Sequence, residues 1–232
     1  MHEFSWFGWI SDKVTHHNIH IFTAGLVAVL LILFSLVYRR SLKSVEEELV
    51  PTGKVSLKNI FQVTVENILG LMEGVIGPDA KLYFPLIGSL FIYIFINNLM
   101  GVIPGFLPAT ENVNTNFAMS ITVFLYYNYV GIKKQGIKNY LKHFMGPLWM
   151  LAPLMFLIEL VSHIVRPVSL AVRLFGNITG DHVVLGIFSD LVPLIVPVIF
   201  FALGIFVSFI QAFVFSLLST VYIGLAVAHE EH

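Results

Sequence analysis

From Leu191 to Ala228 the chain carries no Asp, Glu, Lys, Arg or His, a run suited to lipid rather than to water. Even counted only from Pro197, a helix through it measures roughly 48 Å at ~1.5 Å per residue, against a hydrocarbon core of ~30 Å. A second long apolar region, from about Pro147 to Phe188, precedes it and is interrupted by unusual charges. Both must tilt steeply or bend. Tilt of that size is set by packing against protein, so the pair is expected to wrap around a partner surface inside the membrane.

Composition agrees. Of the 232 residues, 57% are hydrophobic and 12% charged, and the mean hydropathy of +0.85 belongs to a polytopic membrane protein. A net charge of −1 lacks the basic excess that nucleic-acid binding exploits. The absence of cysteine excludes disulfides, thiolate metal sites and a cysteine nucleophile. Met1 to His20 holds Glu3, Asp12 and four histidines, so the N-terminus does not read as a cleavable signal.

The sequence predicts an all-α polytopic membrane protein forming a single membrane domain, 1–232, with about five embedded helices and one interfacial helix. After an outer N-terminal segment, 1–20, span one runs from 21 to 38 and stops at Arg39 and Arg40. Over 57–77, Ile60, Phe61, Ile68, Met72 and Val75 fall near one helical face and Lys58, Gln62, Glu66 and Glu73 near another, the pattern of a helix lying in the interface. Spans two (Leu82 to about Ile103) and three (about Phe117 to Ile132) make a hairpin, 82–132, around a Pro- and Asn-rich turn. Within that turn Glu111-Asn112-Val113-Asn114 reads as a short polar loop and nothing more specific. The tilted pair occupies 147–188 and 191–228.

Arg39, Arg40, Lys43, Lys54 and Lys58 flank the first connector, and Lys133, Lys134, Lys138 and Lys142 flank the one after span three; Pro104 to Asn116 has no Lys or Arg. The positive-inside rule then places both basic loops in the cytoplasm, the N-terminus outside and the C-terminus inside.

Arg173 lies in the middle of the fourth apolar region. A guanidinium in hydrocarbon costs ~2.5–3.5 kcal/mol on insertion scales, so it should face a cavity, water or a charged partner. Glu159, Ser162, Arg166, Ser169, Asn177 and Gly180 share its helical face at spacings of three and four, a polar track roughly 30 Å long at ~1.5 Å per residue. Glu159 or Asp181 could neutralise the arginines within a packed bundle, but two cations and one carboxylate on one face leave a positive charge seeking an external acid. His182, about 180° from Arg173, lines a different surface; its ordinary pKa of ~6.5 suits it to proton exchange, and Asp181 adjoins it. In the last span Gly204, Ser208, Gln211, Phe215, Leu218 and Tyr222 share a face, which makes Gln211 a candidate to meet Arg173. Asn97, Asn98 and His163 carry no assignment beyond helix packing, and His16, His17 and His20 read as surface residues without metal-ligand spacing.

Arg173-Leu174-Phe175-Gly176-Asn177, preceded by Pro167-Val168-Ser169, together with Gln211-Ala212-Phe213, Tyr222 and the acidic end Glu230-Glu231-His232, closely resembles subunit a of the F-type ATP synthase membrane sector. The resemblance covers about Leu82 to the C-terminus. It implies a stator in a bacterial-type inner membrane, a part of a rotary motor that is not catalytic alone and uses no cofactor. Its implied partners are a c-subunit ring, a b-subunit peripheral stalk, the remaining ATP synthase subunits and the lipid bilayer, with no nucleic acid. Arg173 matches the family's essential arginine, which favours the ionised ring carboxylate and keeps two proton half-channels apart. Glu159, Arg166 and Ser169 would belong to the cytoplasmic side of the path, and Asn177, His182 and Gln211 to the other. Many relatives carry a titratable pair at the positions of His182 and Gly204. Glycine here breaks that pair, and Asp181 is the expected substitute. The competing function is an ion-coupled secondary transporter, against which five unequal spans without repeats argue.

Overall fold

The computed structural model describes residues 18–41, 57–103, 105–140, 152–191 and 195–228. His16, His17, Lys43, Lys54, Lys142, the start of the fourth apolar region and the acidic C-terminal end lie outside them. Among the described residues the secondary structure is helical: α1 (Ile19–Ser41), α2 (Leu57–Ile76), α3 (Ala80–Val102), a 3-10 turn (Ala109–Glu111), α4 (Val113–Gln135), α5 (Ala152–Leu191) and α6 (Ile195–Val227).

Local chemistry sets several of these ends. Arg39 and Arg40 occupy the last turn of α1 and Lys133 and Lys134 that of α4, where cations complement the helix dipole. The Asn112 side chain caps α4 by accepting the Asn114 amide at 2.9 Å, and Gly136 closes it at φ 78°, a conformation that favours glycine. This cap starts α4 four residues earlier than the apolar pattern alone suggests. α5 continues through Pro167, as membrane helices allow where neighbours satisfy the freed carbonyl.

Among the described residues four helices are long and apolar enough to cross a bilayer: 19–37, 80–102, 152–188 and 198–227. α4, the expected third span, has the length but a more polar composition, because Asn116, Ser120 and Tyr127 face inward and are buried. α5 spans 40 residues and α6 spans 33, about 60 Å and 50 Å at ~1.5 Å per residue. Both exceed the ~30 Å core, as the sequence requires.

α6 is the central element, packing on α2, α3, α4 and α5. Ile87, Phe91, Ile94, Val123, Tyr127, Leu174, Ala212, Phe215 and Ile223 form one buried cluster, and Phe209 meets Phe91 and Phe95 edge-on at 5.9 and 6.1 Å. On α2 the expected apolar face is only half covered: Ile68 and Met72 are buried, whereas Ile60 and Val75 stay exposed.

The bundle has two distinct ends. At one, Lys134 pairs with Asp79, and Gln135 donates to the carbonyls of Ala226 and Ala228 at 3.0 and 3.2 Å, bringing together the α2–α3 junction and the C-termini of α4 and α6. At the other, the 3-10 turn packs on α1, α3, α4 and α5. His20, expected as a surface residue, lies 3.3 Å from Asn112 there. Asn98 accepts from Thr110 at 2.6 Å and Asn116 donates to the Thr110 carbonyl at 2.7 Å; all three are buried. Asn98 is therefore a strut for this turn.

Candidate functional site

The polar track on α5 divides into parts with different partners. Arg166 donates to Glu159 at 3.3 Å, two helical turns away, and its guanidinium lies 5.5 Å from the Tyr222 ring centre on α6. Its charge is thus answered twice within the chain, by a carboxylate and by the negative face of an aromatic ring.

Arg173, two turns further along, differs. It is half-buried, flanked by the buried Leu170 and Leu174, and makes no hydrogen bond or ion pair among the described residues. Asp181 does not reach it. The excess cation counted along the track is therefore this one. Ser169, one turn before it, is half-buried.

One turn beyond Arg173, Asn177 donates to the Gln211 side-chain oxygen across the helix pair at 2.7 Å. Gln211 is 3% exposed. Its partner is thus Asn177 and not Arg173 as the shared face suggests: an amide donor satisfies the Gln oxygen without bringing a charge into the α5–α6 contact. The expected inward face of α6 is present, since Ser208, Gln211 and Phe215 are buried.

His182 points to the 3-10 turn. Its Nδ1 lies 3.2 Å from Oε2 of Glu111, close enough for an ion pair, although Oε2 meets no hydrogen-bond geometry among the described residues. Gly101 on α3 makes this approach feasible: a Cβ there would sit 3.2 Å from His182 Nε2 and 2.8 Å from Pro108 Cγ. Asp181 lies beside His182 on the wall of a cavity of about 40 Å³, also lined by Asn98, Ile178, Gly204 and Ser208. That volume accommodates at least one water among polar walls.

Glu111 is the residue that the sequence reading passed over. Its signal was weak but present, a lone carboxylate in a turn without Lys or Arg, facing a histidine that lacked a second titratable partner. His163 also gains a definite place, 2.8 Å from Asn128 Oδ1 and in edge contact with Tyr127 and Phe124, where it ties α5 to α4.

The chain matches the family model described as ATP synthase A chain over residues 21–224. It is 48% identical over 226 residues to ATP synthase subunit a of Bdellovibrio bacteriovorus, covering 97% of this chain and 99% of that protein. The subunit of that name from Geobacter sulfurreducens is 46% identical over 88% of this chain and 89% of its own length. The one from Trichlorobacter lovleyi is 47% identical over 92% and 88%. The chain belongs to the ATP synthase A chain family.

As a member of the A chain family it is a proton-translocating stator subunit of an F-type ATP synthase and works within that complex. It is non-catalytic by itself and, with its membrane-spanning helices, a multi-pass inner-membrane protein. Membership of the A chain family decides against the secondary transporter.

Proposed function

We propose that Arg173 faces a ring of c subunits and draws each ring carboxylate into its ionised form, separating two proton half-channels. The observation that carries this reading is the contrast between the two arginines: Arg166 has Glu159 and Tyr222, whereas Arg173 has no ionic partner among the described residues. An unanswered guanidinium on a membrane helix calls for a carboxylate from another chain.

The chain forms a single membrane domain in this reading, with α4 as the third of five spans. The end carrying Arg39, Arg40, Lys133 and Lys134 faces the cytoplasm with the C-terminus, and the N-terminus lies outside. Glu159, Arg166 and Ser169 serve the cytoplasmic half-channel; Asn177, Gln211, Asp181 and His182 serve the outer one. A b-subunit stalk fixes the assembly.

The ring-facing surface follows the open side of α5. Val161, Val165, Val168 and Val172 are exposed, and a Cβ at Gly176 or Gly180 would meet nothing within 4 Å, so a second helix can approach closely there. Because the chain has no cysteine, single cysteines report cleanly. Val172→Cys and Gly176→Cys are expected to form disulfides with a cysteine placed next to the ring carboxylate, while Leu125→Cys, exposed on α4, is not. Cross-linking from Leu125→Cys alone would refute the assignment.

The Asn177–Gln211 bridge supplies a second expectation. Gln211→Leu removes the acceptor of the Asn177 amide and so breaks the side-chain bridge between α5 and α6. ATP-driven proton pumping by vesicles containing the assembled complex should fall several-fold. A wild-type rate would remove this bridge from the path.

A further inference from the structure

α5 enters the bundle through a histidine. From Pro153 to Val161 its residues are exposed, Glu159 alone being half-buried, and His163 is the first side chain of the helix to be buried. The next buried positions are Leu170, Ala171, Leu174 and Ile178, so the segment that carries Glu159, Arg166 and Ser169 has one side chain inside the bundle. Pro167, four residues beyond His163 and within the helix, has no amide hydrogen to give the His163 carbonyl, so α5 also lacks a backbone rung at this place. We propose that His163 is a positioning residue for Arg173: by donating to Asn128 it braces α5 at the proline joint, fixes the rotation of the helix about its axis and so keeps Arg173 turned to the rotor. This rests on the reading that Arg173 faces a ring of c subunits.

The brace is directional. Asn128 Oδ1 lies 2.8 Å from His163 Nε2 and 2.7 Å from the Tyr140 hydroxyl; an amide oxygen carries no proton, so both neighbours donate and the imidazole keeps a proton on Nε2. The Asn128 amide nitrogen donates to the Phe124 carbonyl of its own helix at 2.7 Å, which leaves the oxygen no freedom to turn away. Tyr140 reaches this point from beyond the end of α4 because Gly131 makes room: a Cβ there would sit 2.7 Å from the Tyr140 ring. Phe124 and Tyr127 meet the imidazole edge-on, each at 5.3 Å between ring centres. An apolar side chain could fill the same slot, but it could also slide in it. A hydrogen bond weakens steeply as its angle closes and therefore resists rotation.

Rotation matters because of where Arg173 sits. At about 100° and ~1.5 Å per residue, His163 and Arg173 lie about 80° apart around the helix and about 15 Å apart along it. His163 shares the packed face with Leu170, Leu174 and Ile178, all buried, whereas Val165, Val168 and Val172 are exposed on the far side. Arg173 is half-buried at the edge between the two, where a modest turn of the helix carries it into the α5–α6 seam or out towards lipid. The Glu159–Arg166 pair cannot supply the restraint, since both members lie on α5 and turn with it. Beyond the proline, Asn177 is tied to Gln211 of α6; before it, His163 is tied to Asn128 of α4. The two anchors bracket Arg173.

The test uses the whole ATP synthase in inverted membrane vesicles, with ATP-driven proton pumping normalised to the amount of this chain in the membrane. His163→Leu fills the slot without a donor, and His163→Gln keeps one. Pumping should fall about tenfold or more in H163L, since a displacement of ~1 Å can cost ~10²-fold, and H163Q should retain most of the rate. Rotation is read by the disulfide yields of Val172→Cys and Gly176→Cys with a cysteine beside the ring carboxylate. H163L should shift the ratio of the two yields and H163Q should leave it unchanged, whereas a merely structural histidine would lower both yields together. Asn128→Leu removes the acceptor and should shift the ratio in the same way, which also carries the test should H163L fail to reach the membrane. The H163L and N128L pair together should be no worse than either alone, because both break one contact. An unchanged ratio in H163L and N128L, a loss in H163Q equal to that in H163L, or additive losses in the double variant overturns the proposal. Arg173→Ala measured alongside separates the two levels: if it still pumps, the reading of the arginine itself fails, whereas if it is inactive and H163L keeps both rate and ratio, His163 alone is refuted.

Discussion

Replacing Arg173 by Ala is expected to abolish ATP-driven proton pumping while leaving the chain in the membrane. The side chain makes no ion pair or hydrogen bond among the described residues, so its removal breaks no internal bridge and takes a costly cation out of the bilayer. Stability should hold or rise. What disappears is the charge that favours an ionised acid on the opposing surface. His182→Ala should impair pumping less, because Glu111 and Asp181 remain near the same cavity. Equal and total loss in both variants would refute that ranking, and unchanged pumping in R173A would refute the role of the arginine.

A second large effect is expected at the opposite kind of residue, one whose side chain is buried and holds a turn in place. Asn116 is buried and donates at 2.7 Å to the carbonyl of Thr110, whose hydroxyl is bound to Asn98. Asn116→Leu leaves that carbonyl buried and unpaired, a cost of about 1–3 kcal/mol, and places a branched side chain where an amide fitted. The thermal midpoint of the purified complex, followed by release of this chain, should drop by several degrees. Pumping should weaken with it, since the turn sets the position of Glu111. An unaltered midpoint would show that the turn is not held by this hydrogen bond.

The helices and their inward faces were legible in the sequence because lipid imposes a simple rule: charges stop spans, and polar groups inside them must find partners. The track from Glu159 to Asn177 followed from helical spacing alone, and the excess positive charge at Arg173 from counting groups on one face. Periodicity is silent on what lies across a gap between elements. It could not choose between Arg173 and Asn177 as the partner of Gln211, because both lie on the same face one turn apart. It passed over Glu111 for the same reason. A turn residue has no helical face to read, and its approach to His182 depends on a missing Cβ at Gly101, 81 positions earlier in the chain. α4 shows the converse, a helix of more polar composition in which Asn116, Ser120 and Tyr127 look inward and are buried.

The private carboxylate of Arg166 has a mechanical consequence. Two bare guanidiniums seven residues apart would offer a travelling acid two resting places about 10.5 Å apart at ~1.5 Å per residue, and a rotor could stall at either. If Arg173 faces a rotor as proposed, then with Glu159 and the Tyr222 ring occupying the first each step would have one detent, and the indexing of the whole machine would be set at a single tooth.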